Sequence, residues 1–477
     1  MRKNKGIAIV MSLIMLVSIL GGCTNDSYTD NNKESEVNFS SINVSLLNSK
    51  NIMNTIKELS SERYNGRLAG TKGNELAAEY IAGYFKKVKL ESPKGLENFR
   101  QSYTQNVRFT NSAPKLGILD NEGNLIKEYS YLEDFSVQTF ITALSIKGEI
   151  KGKAVVIETV EQLSEDTEKL KDKILLIPEA VNNKIGTRTL ITRILESRMN
   201  VKGILCEVDI SSPNHRYNAF VVGPNAQPVA IFNNSAPMMF MSDADSFKEM
   251  KTAAKKGSDL YMKADYSVEN VTASNIIGLM EGNDKELKNE FIIIGAHFDH
   301  VGDNKNETYN PGAFDNGSGT AAIMEIARVL KENKIKPKKS ILFIAFNGEE
   351  EGLYGSHHYA DHPVYPLNDK TVMINLDMVG SKTPIPLSIE SFDSTNTKLR
   401  DKLYKYAKGL NVESIADVGQ GSDHAPFAAK GVDAVCLIHM DLKNGYHTPK
   451  DTIETVDEKR AEEVVKLVLF YLDKNAY

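Results

Sequence analysis

Apolar residues along this chain recur with two different periods, and the change of period divides it. Ile52, Met53, Ile56 and Leu59 return every three or four residues, and so do Leu76, Ala77, Tyr80, Ile81, Tyr84, Phe85 and Val88. That spacing lines one face of a helix, so the folded part is expected to open with two helices. A polar stretch with two glycines, residues 63–70, separates them. From 139 to 264 the apolar runs are short and β-rich: 153–157, 174–177, 203–208 and 228–232, with one helical segment at 189–197. Beyond 276 the apolar runs are continuous: 291–296, 341–346, 372–376 and 434–438. A helix carrying Ile323, Ile326, Ala327 and Leu330 falls between the first two. Continuous apolar strands that alternate with helices belong to a largely parallel sheet covered on both faces. The expected fold is α/β, a mixed, largely parallel sheet covered by helices, with an inserted β-rich domain.

The first 22 residues do not read as part of the fold. Arg2, Lys3 and Lys5 precede an apolar run at 7–20. That run falls short of the ~20 residues a membrane helix needs, and its layout is that of a secretory signal. It ends in Leu20-Gly21-Gly22-Cys23, which resembles the lipoprotein box of bacteria. Such a box implies cleavage before Cys23 and a lipid on that cysteine. Residues 23–45 are polar and read as a disordered tether. The expected location is therefore extracytoplasmic, anchored to the cell membrane by the N-terminal lipid.

Composition narrows the partners. A net charge of -6 and a pI near 6.0 over 477 residues argue against nucleic acid, which is bound by basic faces. Three cysteines cannot build a disulfide framework. Cys206 and Cys436 sit inside apolar runs and are expected to be buried thiols.

Candidate chemistry gathers in the C-terminal half. Of nine histidines, one is His215 and the others lie between His297 and His447. His297 and Asp299 follow the 291–296 strand, Glu349 and Glu350 follow the 341–346 strand, and Asp377 follows the 372–376 strand. Parallel strands end on one edge of the sheet, where ligands bind, so these residues are expected to converge. Asp315 lies in a glycine-rich turn that opens the helix of Ile323, and His447 follows the last strand. Carboxylates at that density repel one another unless cations lie between them. Imidazole and carboxylate donors without a suitable cysteine point to zinc or a similar divalent ion.

The ordered blocks Ala296-His297-Phe298-Asp299-His300, Phe314-Asp315-Asn316-Gly317-Ser318-Gly319, Asn347-Gly348-Glu349-Glu350, Asn375-Leu376-Asp377-Met378 and Tyr446-His447-Thr448 resemble the co-catalytic dizinc aminopeptidases. Their superfamily also holds glutamate carboxypeptidase and the glutaminyl cyclases. The resemblance implies a zinc aminopeptidase-like fold with a protease-associated-like insertion at 139–264. It also implies two Zn²⁺ per chain and peptide substrates. Asp315 would bridge the ions. Glu350 and His447 would complete one site, and His297 and Asp377 the other. Glu349 would be the general base. Asp299 would hold the second nitrogen of the His297 imidazole, and Tyr446 would donate to the oxyanion. A cis peptide is implied at Asp315-Asn316.

His300, His357, His358, His362 and His439 are read as non-ligands and Glu351 as a solvated neighbour. The block Gly421-Ser422-Asp423-His424 is read as support near the site. Domain limits are 1–22 signal, 23–45 tether, 46–138 N-terminal part of the peptidase domain, 139–264 insertion and 265–477 dizinc peptidase domain. The expected function is a membrane-anchored metallo-aminopeptidase. The alternatives are a carboxypeptidase or glutaminyl cyclase on the same fold, or an inactive peptide-binding lipoprotein.

Overall fold

The computed structural model describes residues 38–137, 146–165, 167–186, 189–190, 193–194, 199–210 and 238–477. The signal, Cys23, His215 and the 228–232 run lie outside the described residues, as does most of the 189–197 segment. Strands β1 (Arg100–Leu119), β2 (Leu125–Tyr129), β3 (Phe135–Val137), β4 (Ile146–Val156), β5 (Ile174–Ile177), β6 (Gly203–Glu207) and β7 (Met238–Ser242) come first in the chain. They are followed by β8 (Asp259–Met280), β9 (Phe291–His297), β10 (Ser340–Phe346), β11 (Val372–Asp377), β12 (Leu387–Ser391), β13 (Ser414–Val418) and β14 (Asp433–Ile438).

The sheet that carries the acids runs β13-β12-β14-β11-β9-β10-β8. Its centre is parallel: β10 with β9, β9 with β11, and β11 with β14. β8 and β12 pair antiparallel to it on either side. Every residue of β9 and β10 is buried, as a sheet covered on both faces requires. Helices Ser49–Leu59, Gly319–Glu332 and Glu458–Asn475 cover one face and share a core with Ile294, Phe343 and Leu437. Helices Tyr354–Asp361 and His424–Ala429 cover the other, where Tyr359 and Phe427 pack on Ile293, Leu342 and Ile344.

The expected central strands and the helices of Ile52, Leu76 and Ile323 are present at their positions. The long ribbon formed by β1 and β8 was not anticipated. β8 runs unbroken through the expected boundary at 264: it alternates at its start, is partly exposed in its middle and is fully buried at its end, and its pairing with β1 continues across that point. The second core also takes in Leu116, Tyr129, Tyr131 and Phe135, upstream of residue 139. In this lobe β4, β5, β6 and β7 are parallel neighbours, and helix Ala244–Lys255 packs beside them. The lobe is thus α/β rather than simply β-rich. Cys206 and Cys436 are buried and free.

Part of the segment expected to be a tether is folded. Residues 38–45 are described, and Ile42 is buried. The reason is Asp473, whose carboxylate accepts from the main-chain N–H of Ser40, Ser41 and Ile42 at 2.7–3.1 Å. Burial opposes its ionisation, but Lys474 and these N–H groups outweigh it and hold the carboxyl at about 2. A depressed pKa stabilises the fold above the unfolded value near 3.9 and loses that contribution as pH falls toward 2. Asp473→Asn is expected to cost about 1–2 kcal/mol at pH 7. In urea titrations, its gap from the wild type should shrink as the pH falls from 4 to 2.

Candidate metal centre

β9 ends in His297, β11 ends in Asp377, and the turn after β10 carries Glu349 and Glu350. In-register parallel pairing aligns these ends, with Phe346 opposite His297. Gly348 makes the turn possible. Its φ is +70°, and a Cβ there would lie 2.0 Å from Gln105 Oε1. Asp315 reaches the same edge from the turn Ala313–Ser318, whose Asp315-Asn316 peptide is cis.

Asp315 stands between two imidazoles. Its Oδ2 is 2.8 Å from His447 Nε2, and its Oδ1 is 3.4 Å from His297 Nε2. Asp377 Oδ1 lies 3.3 Å from His297 Nε2, and Glu350 Oε2 lies 3.2 Å from His447 Nε2. Donor atoms of His297, Glu349 and Asp377 lie within 4.8 Å of one another, and so do those of His300, Asp315, Glu350 and His447. All five residues read as metal ligands therefore meet here, with Glu349 among them.

Neighbouring groups fix this arrangement from behind. Ser422 Oγ donates to Asp377 Oδ2 at 2.7 Å and accepts from Asn375 Nδ2 at 2.8 Å, so the 421–424 block does support the site. Asp451 accepts from the N–H groups of Phe314 and Asp315 at 2.8 and 3.0 Å. Asp299 differs from expectation. His297 Nδ1 is 3.3 Å from the Asp299 main-chain carbonyl oxygen but 3.8 Å from its carboxylate. That carboxylate instead accepts from the N–H groups of Glu349 and Glu350, both at 3.2 Å. The side chain thus fixes the glutamate turn, while the backbone orients the imidazole. Tyr446 stacks on the His447 ring, with centroids 3.5 Å apart.

Electrostatics follow from the crowding. Burial pushes Glu349 well above the usual carboxylate range, and Glu350 and Asp377 add to this against His297. Burial likewise lifts Glu350 to about 7, with Asp315 adding and His447 opposing. For His447, burial works against the charge, but Glu350 and Asp315 outweigh it and raise the imidazole to about 9. Burial and the acids around Asp315 push the Tyr446 phenol well up, so it keeps its proton.

Glu351, His300 and Arg67 add to what the sequence motifs indicate. Glu351 is 6% exposed rather than solvated, with its pKa lifted to about 7 by burial against the pull of Arg108. His300 is fully buried, its Nδ1 2.8 Å from Glu350 Oε1. Its HFDH neighbourhood was the available signal. Arg67 is fully buried and donates to the carbonyls of Phe298, Leu59, Pro311 and Gly312 at 2.7–2.8 Å. Of the histidines read as non-ligands, His358 stacks on Tyr103 and His439 accepts from the Gly380 N–H.

The donor set fits a divalent metal. Carboxylates at this density need cations between them, and the nearby Arg67 spends its donors on main-chain carbonyls. Beside His447 the cleft is lined by Arg108, Val301, Glu351 and, from the second lobe, Tyr131 and Leu132.

Residues 275–472 match Peptidase family M28. Aminopeptidase YwaD of Bacillus subtilis (strain 168) is 35% identical over 224 residues, which are 45% of this chain and 46% of that protein. Leupeptin-inactivating enzyme 1 of Streptomyces exfoliatus is 32% identical over 172 residues, 35% of this chain and 36% of the relative. The chain thus spans less than half the length of these curated relatives. Among solved structures, an aminopeptidase from Aneurinibacillus sp. strain AM-1 superposes with TM-score 0.64 at 23% identity, covering 91% of this chain and 95% of that one. BSAP, a zinc aminopeptidase from Bacillus subtilis, gives 0.61 at 24%, covering 90% and 96%. At those identities the likeness is one of fold.

Chelation of divalent ions is expected to lower Tm, because ions bound only by the folded chain add to its stability. Zinc restored to a hundredfold excess over Kd should return about 2.7 kcal/mol. Melts recorded in chelator and in zinc would check this, and coincident curves would count against a metal centre.

Proposed function

We propose that this chain, whose residues 275–472 match peptidase family M28, is a zinc-dependent aminopeptidase acting on short peptides. The observation that carries this reading is the Asp315 carboxylate, one oxygen toward His447 and the other toward His297. On this reading Glu350 and His447 would hold one ion, His297 and Asp377 would hold the other, and Asp315 would serve both. Two divalent ions so held would acidify a water and polarise the scissile carbonyl.

The chain's own residues then divide the work. Glu349 takes the proton of the attacking water and returns it to the leaving amine. Burial raises its pKa above the ordinary carboxylate range, the direction that strengthens a proton acceptor. Tyr446, kept protonated among the acids, donates to the oxygen on which negative charge develops. Asp299 keeps Glu349 and Glu350 on divergent courses by holding both of their N–H groups. The Leu20–Cys23 box supports a lipid anchor at Cys23 and a place at the outer face of the cell membrane, where the substrates would be extracytoplasmic peptides.

Glu349→Gln should lower kcat by about 10²–10⁴-fold while zinc content is retained. A panel of free and N-blocked peptides tests the substrate class. Turnover is expected with a free N-terminus alone, and cleavage of blocked peptides would remove the aminopeptidase reading.

Tyr131 and Leu132 bring the second lobe to the cleft, so that lobe is proposed to limit substrate size. Tyr131→Ala combined with Leu132→Ala is expected to raise kcat/KM for longer peptides relative to dipeptides. An unchanged length profile would take that role away.

A further inference from the structure

We propose that His300 is a positioning residue of this metal centre: its Nδ1–H holds one oxygen of Glu350 and turns the other toward the ion shared with His447 and Asp315. The inference rests on the metal-centre reading above.

The two oxygens of Glu350 have different neighbours. Oε1 is 2.8 Å from His300 Nδ1, and Oε2 is 3.2 Å from His447 Nε2. Asp315 Oδ2 lies 3.9 Å from His300 Nδ1, beyond hydrogen-bond reach, so the contact is specific to Glu350. An ionised carboxylate only accepts, so the contact is attractive when the imidazole proton is on Nδ1. Nε2 is then bare, and it is buried without a polar partner. A ring with one nitrogen on Glu350 and the other leading nowhere is no proton relay. Full burial also keeps it from the substrate.

The ring is held as a positioning group should be. The His300 N–H donates to the Arg67 carbonyl at 3.3 Å. A Cβ on Gly312 would come within 2.6 Å of His300 Cδ2, so glycine there makes room for the ring. The His447 ring stands edge-on, 5.3 Å away. Ligation by His300 itself is disfavoured by the donor count. With Asp315 shared, each ion already has three protein donors, the number that leaves a position open for water in catalytic sites. In such sites a carboxylate ligand commonly has its second oxygen hydrogen-bonded by an outer partner.

The experiment measures zinc binding by competition with a chromophoric chelator, on the full chain. His300→Phe keeps a ring and loses the donor, whereas His300→Asn places an amide N–H where Nδ1 stands. The phenylalanine variant is expected to bind one of its two ions about 10–100-fold more weakly. The asparagine variant should recover most of that loss, with the cobalt spectrum of the wild type. Circular dichroism checks folding. If phenylalanine is not accommodated, His300→Gln, whose amide falls at the Nε2 position, takes its place with the same expectation. Two ions bound with wild-type affinity by the Phe or Gln variant would overturn the inference. So would a His300→Asn cobalt spectrum that has lost a nitrogen ligand, since His300 would then be a ligand. Wild-type chain that takes up no zinc would instead overturn the metal-centre reading, and this inference with it.

Discussion

Repulsion between buried carboxylates is the constraint around which the C-terminal half is organised. Asp299, Asp315, Glu350, Asp377 and Asp423 are buried at one edge of the sheet, and Glu349 sits among them. Burying one ionised carboxylate is costly, and several side by side raise one another's pKa. Such a cluster stays ionised when cations or hydrogen bonds answer each charge. Imidazoles answer part of it here, since the acids outweigh burial and hold His297 and His447 above the ordinary range. The remaining negative charge is what divalent cations would answer.

The scaffold meets this constraint by fixing backbone first. Arg67 ties the carbonyls of Phe298 and Gly312, so the segments that deliver Asp299 and Asp315 are held by one guanidinium. Asp451 grips the N–H groups of Phe314 and Asp315, and Asp299 those of Glu349 and Glu350. These two acids have their oxygens engaged with backbone, which separates them chemically from the acids that face the imidazoles. Preorganisation of this kind spares the site from reorganising as charge develops.

Much of this arrangement was legible in the sequence, and the exceptions share a cause. β9, β10, β11 and β14 announced themselves as continuous apolar runs, because strands covered on both faces have no polar alternation to disguise them. The acids and histidines directly after those runs had to meet, because parallel strands end together. β13 was illegible since most of it faces solvent, with Ile415 and Val418 exposed. Arg67 and Asp451 were illegible because they recognise main-chain groups, which leave no mark in the sequence of the partner. The environment of Glu351 was illegible because its charge partner, Arg108, lies more than two hundred positions earlier on β1. His300 reads as a non-ligand in the sequence, and its link to the site appears only in its contact with Glu350.

The β1–β8 ribbon gives the second lobe its bearing on the centre. Its register shifts at Thr110–Ser112 and again before Lys115, just past Arg108 in the cleft wall. Bulges of this kind bend and twist a strand pair. Before the shift, β1 supports the glutamate turn: the Tyr103 hydroxyl donates to the Asn347 carbonyl at 2.5 Å, and Gln105 lies against Gly348. Beyond it, Leu116 and Ile118 enter the core that also holds Tyr131. One strand therefore braces the turn of the proposed base at one end and seats a wall of the cleft at the other. The lobe is not hung on a linker, whose composition would show in the sequence as glycine, proline or polar residues. Its placement is carried by backbone pairing, and cleft width and the position of Glu349 are set by the same two strands.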